Sequence, residues 1–181
     1  MITYRTLKED EIKRELFRYF IRRQVVTDCR RKEQGKWVIK SDPFIDDWSE
    51  QDYWTLVSCL KHTLSAGGYV SAAFCDNRLK GFVSVEAEFF GSRKNYLDLS
   101  SLHVSEDMRG NGIGKELFLL AMSFAKKKGA EKLYISAHSA IESQLFYQAM
   151  GCVEALEYNQ RHVEEEPYDC QLEVSLRRTS S

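Results

Sequence analysis

The spacing of apolar residues changes along the chain and divides it into segments. Over residues 9–24, Ile12, Leu16, Phe17, Phe20 and Ile21 recur at helical spacing among charged neighbours. That spacing predicts an amphipathic helix running on toward Arg31. A polar stretch with Gly35 and Pro43 follows. Ser49 is placed to cap a second helix, and Asp52 stands where it can return the capping bond. Tyr53, Leu56, Val57, Leu60 and Leu64 form the buried stripe of this helix, and Gly67-Gly68 ends it. The period then shortens. Tyr69–Cys75 is a β-prone run, Asp76-Asn77 a hairpin turn, and Leu79–Phe90 a strand with Phe82, Val83 and Val85 in the core. Tyr96–Val104 follows the Gly91–Asn95 loop. Three strands with short connections predict an antiparallel meander.

Beyond Val104 strands and helices alternate. Gly112–Lys128 places Ile113, Leu117, Leu120, Ala121 and Phe124 on one helical face, and Gly129 stops it. Lys132–Ala137 predicts a strand, Ile141–Met150 a helix ended by Gly151, and Cys152–Tyr158 and Cys170–Leu176 further strands. The chain reads as α/β, with a meander first and a β–α–β unit at its centre. No repeat and no Gly/Ser/Pro-rich linker interrupts it, so residues 1–181 are expected to form one domain.

Composition acts mainly by exclusion. Lys and Arg total 26 against 27 Asp and Glu, a net charge of −1. No global cationic field invites nucleic acid, and the N-terminal region lacks the Arg-rich recognition helix of a helix–turn–helix regulator. No run approaches the roughly 18 apolar residues of a membrane span, and Met1–Asp10 lacks a signal core. The five cysteines form no CxxC pair and no zinc spacing. The expectation is a cytoplasmic protein with reduced thiols, no metal and no membrane partner.

The chemistry concentrates between Leu102 and Lys115. A strand ends at Val104, a Gly-rich turn follows, and a long helix starts near Gly112. Such a turn aims backbone N–H groups and a helix N-terminus at one point, which suits a phosphate or pyrophosphate. Gly110 and Gly114 have one residue too few between them for a Walker A loop, and Glu116 stands where Ser or Thr would hold magnesium. A dinucleotide fingerprint fails at Lys115. Arg109-Gly110-Asn111-Gly112-Ile113-Gly114 instead resembles the Gln/Arg-x-x-Gly-x-Gly/Ala pyrophosphate loop of the GNAT superfamily of N-acetyltransferases. Phe146-Tyr147-Gln148-Ala149-Met150-Gly151-Cys152 is similar to a second element of that family, with Cys152 in place of its usual aromatic.

The resemblance implies a mixed, mostly antiparallel sheet of about six or seven strands flanked by helices, with a strand pair splayed around the loop. It implies acetyl-CoA as cosubstrate, cradled by Arg109, Gly110, Asn111, Gly112, Ile113 and Gly114. The pantetheine arm would run along the backbone of Leu102, His103 and Val104. Ser139 would substitute for an Asn that many relatives carry at the position of Ala140. Tyr147 matches the family's general acid. Asp98 and Glu86 are rival candidates for the base, with Glu88 behind them. The Lys126–Lys128 run is read as a solvated helix end before a 3′-phosphate contact. Trp37, Trp48, Trp54, Tyr53 and Tyr69, with Glu157, Glu164, Glu165, Glu166 and Asp169, are the expected sources of acceptor contacts. The expected function is acetyl transfer to a primary amine of a small molecule. A protein or peptide acceptor, or a non-catalytic CoA-binding module, are the alternatives. Homodimer formation is left open.

Overall fold

The computed structural model describes residues 1–177. Seven strands form one sheet in the order β1-β4-β5-β6-β7-β9-β8. They are β1 (Ile2–Thr6), β4 (Tyr69–Cys75), β5 (Arg78–Val85), β6 (Tyr96–Val104), β7 (Lys132–Ala137), β8 (Val153–Glu154) and β9 (Cys170–Ser175). Among the described strands only β6 and β7 run parallel. A separate hairpin pairs β2 (Arg23–Glu33) with β3 (Lys36–Asp47). The helices are α1 (Glu50–Ser65), α2 (Ile113–Lys127), α3 (Ile141–Ala149) and α4 (Gln160–Glu165).

The meander and the central β–α–β unit form as their patterns predict. Asp76 and Asn77 both take positive φ, which brings β4 back as β5. Ser49 accepts the Asp52 N–H at 3.2 Å and the Asp52 carboxylate accepts the Ser49 N–H at 2.8 Å, so α1 starts at a capping box. Alternate residues of the strands serve two cores. Val83, Val85, Leu97, Leu99, Leu133 and Ile135 pack under α2. Val70, Ala72, Phe74 and Phe82 pack under α1 on the other face.

The N-terminal helix does not form. Residues 9–24 instead make short 3₁₀ turns at Glu9–Glu11 and Arg14–Phe17, then enter β2. Ile12, Phe17 and Phe20 are buried as the periodicity implies, while Ile21 is exposed. The backbone finds distant partners in place of helical ones. Lys80 Nζ donates to the Tyr19 carbonyl at 2.8 Å, the Tyr53 hydroxyl to the Phe20 carbonyl at 3.0 Å, and Ile21 N–H to Ser105 Oγ at 2.9 Å. Tertiary hydrogen bonds thus override a local helical pattern. The polar stretch after it is the long hairpin, closed by Gln34 and Gly35, both at positive φ. The expected Cys152–Tyr158 strand pairs only at Val153 and Glu154, and the strand from Leu79 stops at Val85 rather than Phe90. Strand β1 and helix α4 carry too few residues to show a period.

Among the described residues no helix is long and apolar enough to cross a membrane.

Candidate active site

Strands β6 and β7 pair only from Tyr96–Lys132 to Leu99–Ile135. Beyond that they part: β6 continues against β5 to Val104, and β7 against β9 to Ala137. The gap opens into a cleft of about 1140 Å³. Its floor is the free edge of β6 from Leu99 to Val104, with Ser100 standing at a bulge in the β5 pairing.

At one end of the cleft lies the Gly-rich turn. The N–H groups of Gly110 through Lys115 donate to no acceptor among the described residues, and the first bond of α2 is Glu116 N–H to Gly112 C=O at 3.2 Å. Six free donors therefore lie together at a helix N-terminus. Gly110 and Gly112 take φ of +84° and +77°, and the space a Cβ would fill beside each is open. A side chain there would be strained and would occupy the cradle. Side chains behind the turn hold its shape. Lys80, itself buried, reaches Asp107 Oδ2 at 2.7 Å, and Ser105 Oγ donates to Asp107 Oδ1 at 2.5 Å. Burial opposes the Asp107 charge, but these bonds outweigh it and hold the carboxyl below its ordinary range. Asn111 Nδ2 closes the turn on the Met108 carbonyl at 3.0 Å.

The opposite wall comes from the hairpin and the segment before β9. Arg22 is buried; its Nε donates to His103 Nδ1 at 3.2 Å, one Nη to Asp46 at 3.1 Å, and its guanidinium lies 5.3 Å from the Trp48 ring. Burial first, then the charges of Arg22, His138 and Arg109, keep His103 neutral, with its proton on Nε2. Arg31 donates to Ser139 Oγ at 2.6 Å and to Asp42 at 3.0 Å, and covers the Tyr168 ring. Tyr147 lines the cleft from α3, and burial pushes its phenol well above the usual tyrosine range.

A family model, the acetyltransferase (GNAT) family, matches residues 33–152. The protein belongs to the GNAT family. It is therefore an acyltransferase by family. Nourseothricin acetyltransferase superposes with a TM-score of 0.70 at 18% identity, over 97% of this chain and 99% of its own. A Bacillus anthracis str. Ames protein assigned as a streptothricin acetyltransferase, in complex with acetyl coenzyme A, gives 0.69 at 13% identity over 96% of both chains. The PaiA N-acetyltransferase of Thermoplasma acidophilum, in complex with coenzyme A, gives 0.58 at 18% identity over 97% and 99%. At these identities the likeness establishes the fold. No curated protein sequence matches the chain.

Within this GNAT fold the expected site residues separate into two groups. Leu102, His103, Val104, Arg109, Gly110, Gly112, Ile113, Gly114, Ser139 and Tyr147 all line the cleft. Asn111 braces the turn from outside the lining. Ser139 accepts Arg31 on its hydroxyl and the Arg30 N–H on its carbonyl, so it joins the hairpin to the β7–α3 corner. The two carboxylates expected as bases lie elsewhere. Asp98 is buried beneath α4, where His162 Nε2 meets its Oδ2 at 2.8 Å, and its Oδ1 has no partner. Glu86 accepts from Thr63 at 2.6 Å and from Ser100 at 2.7 Å, so it touches the cleft only through Ser100.

The acceptor candidates divide likewise. Trp48, Glu166 and Asp169 line the cleft. Tyr53 packs in the α1 core, Tyr69 stacks on Phe124, and Glu157 binds Ser92. The Lys126–Lys128 run ends α2, about 22 Å of helix from the cradle at 1.5 Å per residue. The sequence pattern does not single out Arg22, Arg31, Asp42 and Asp46: the first two fall in the stretch expected to be helical, the last two in the polar stretch that forms β3.

Proposed function

We propose that this protein moves an acetyl group from acetyl-CoA to the primary amine of a small molecule, as one domain. The observation that carries the reading is the turn with six undonated N–H groups beside a splayed strand pair. A diphosphate fits it: anionic oxygens accept backbone donors, each such bond contributing about 1.5–3 kcal/mol, and the open space beside Gly110 and Gly112 admits it. Solved relatives with acetyl coenzyme A or coenzyme A bound support the same cosubstrate. Acetyl-CoA supplies an activated thioester. The free edge of β6 along Leu102, His103 and Val104 would hold its arm. Tyr147 would give the departing sulfur a proton, and its buried phenol keeps that proton at neutral pH.

The acceptor half of the cleft is mixed in charge, with Arg22 and Arg31 against Asp42, Asp46, Glu142, Glu166 and Asp169. The excess of carboxylates favours a cationic amine. The solved relatives named for nourseothricin and streptothricin support a small molecule over a peptide. The test is release of CoA thiol from acetyl-CoA with a panel of polyamines, aminoglycosides, amino acids and peptides, beside calorimetry with acetyl-CoA alone. Turnover of a small amine supports the reading. Turnover of peptides alone transfers it to a protein acceptor. Tight binding without turnover leaves a CoA-binding module.

A further inference from the structure

We propose that Asp169 is the group that takes the proton from the acceptor amine. This rests on the acetyl-transfer reading above and names its missing base.

The argument is one of elimination followed by geometry. Among the described residues five carboxylates line the cleft. Asp42 is paired with Arg31, and Asp46 with Arg22 and His138. Glu142 and Glu166 are exposed to water. Asp169 is partly buried and carries no cationic partner among the described ion pairs. Its Oδ2 accepts from Ser136 Oγ at 3.0 Å. Ser136 Oγ accepts from Gln171 Nε2 at 3.1 Å, and the Gln171 carbonyl oxygen accepts from the Tyr134 hydroxyl. This chain fixes one carboxylate oxygen from behind. Oδ1 accepts no hydrogen bond among the described residues and is free for a substrate. Tyr147, the proposed acid, is near enough to feel the Asp169 charge. Acid and base thus line the same cleft.

The surroundings suit a base working near neutrality. Burial pushes the Asp169 carboxyl up to about 7. Glu166 adds to the rise; Ser136 and His162 oppose it. Arg31 of the hairpin packs over the ring of nearby Tyr168. A carboxylate in that range takes a proton from an ammonium far better than an ordinary one. The protons balance. One N–H proton passes from the ammonium to Asp169 Oδ1 and on to solvent. The freed lone pair forms the C–N bond, the C–S bond breaks, and Tyr147 protonates the sulfur. The second nitrogen proton restores Tyr147. The products are amide, CoA thiol and one proton.

The test compares wild type with Asp169→Asn and Ser136→Ala, using an amine turned over by the wild type. Wild-type kcat/KM should rise with pH along an acid limb near 7 and then level off. Asp169→Asn should lower kcat/KM about 100-fold and abolish that limb, with acetyl-CoA affinity unchanged by calorimetry. Hydroxylamine, already neutral at assay pH, should lose far less. Ser136→Ala removes a bond to the ionised carboxylate, so its limb should move to higher pH. An Asp169→Asn enzyme within threefold of wild type, or one that keeps the limb, overturns the assignment alone. A loss equal for hydroxylamine and strongly basic amines also overturns it. Wild-type protein that binds no acetyl-CoA, or turns over no amine, removes the acetyl-transfer reading and this one with it.

Discussion

The cradle wall of the cleft is built locally. Strand β6, the turn and the start of α2 are consecutive in the chain, and their donors are backbone atoms whose aim follows from φ and ψ. The facing wall is assembled at long range. Arg22 meets His103 across 81 residues, and Arg31 meets Ser139 across 108. Main-chain chemistry leaves a glycine spacing behind in the sequence. Side-chain chemistry of the second kind leaves only scattered charges, each of which reads as a surface residue until the hairpin is folded over the sheet. On the proposed function the labour divides in the same way: the local wall takes the diphosphate and the long-range wall the acceptor.

Substitutions should separate the two walls. Gly112→Val strains a left-handed position and puts a side chain into the cradle, so acetyl-CoA affinity by calorimetry should fall 100-fold or more. Tyr147→Phe sits where the walls meet. It should lower kcat tenfold or more and leave acetyl-CoA affinity unchanged; an unaltered rate would rule Tyr147 out as the acid. Arg31→Met belongs to the long-range wall. The expected result is a KM for the amine raised about three- to tenfold, within the usual effect of a lost charge-assisted contact, and a smaller change for acetyl-CoA.

The smallest effect concerns stability. The hydrogen bond to Asp98 raises His162 above the ordinary histidine value, against the pull of burial. A raised histidine stabilises the fold fully below its unfolded value of about 6.5. That contribution disappears as pH rises through the higher folded value. Denaturant titrations of wild type and His162→Asn should therefore differ more near pH 5 than near pH 9. An equal gap at both would mean that the pair is not charged in the folded state.

The sequence was most legible where short-range rules decide structure. The α1 capping box, the Asp76-Asn77 turn and the β6–α2 turn all depend on neighbours within a few residues. It misled at residues 9–24, where Lys80, Tyr53 and Ser105 supply from afar the bonds a helix would have made internally. It fell short on the carboxylates too. Asp98 and Glu86 sit on or beside strands that border the cleft, yet the pleat and α4 turn them to other partners. Asp169 was visible only as one of several acidic residues, since what sets it apart is the Ser136–Gln171–Tyr134 chain behind it.

Lys80 ties the Gly-rich turn to the N-terminal segment through Asp107 and the Tyr19 carbonyl, contacts made wholly within the protein. A turn braced in this way needs no ligand contact to hold its shape. Association is then governed by diffusion and by stripping water from the amides, and crystals grown with and without ligand should show the same turn.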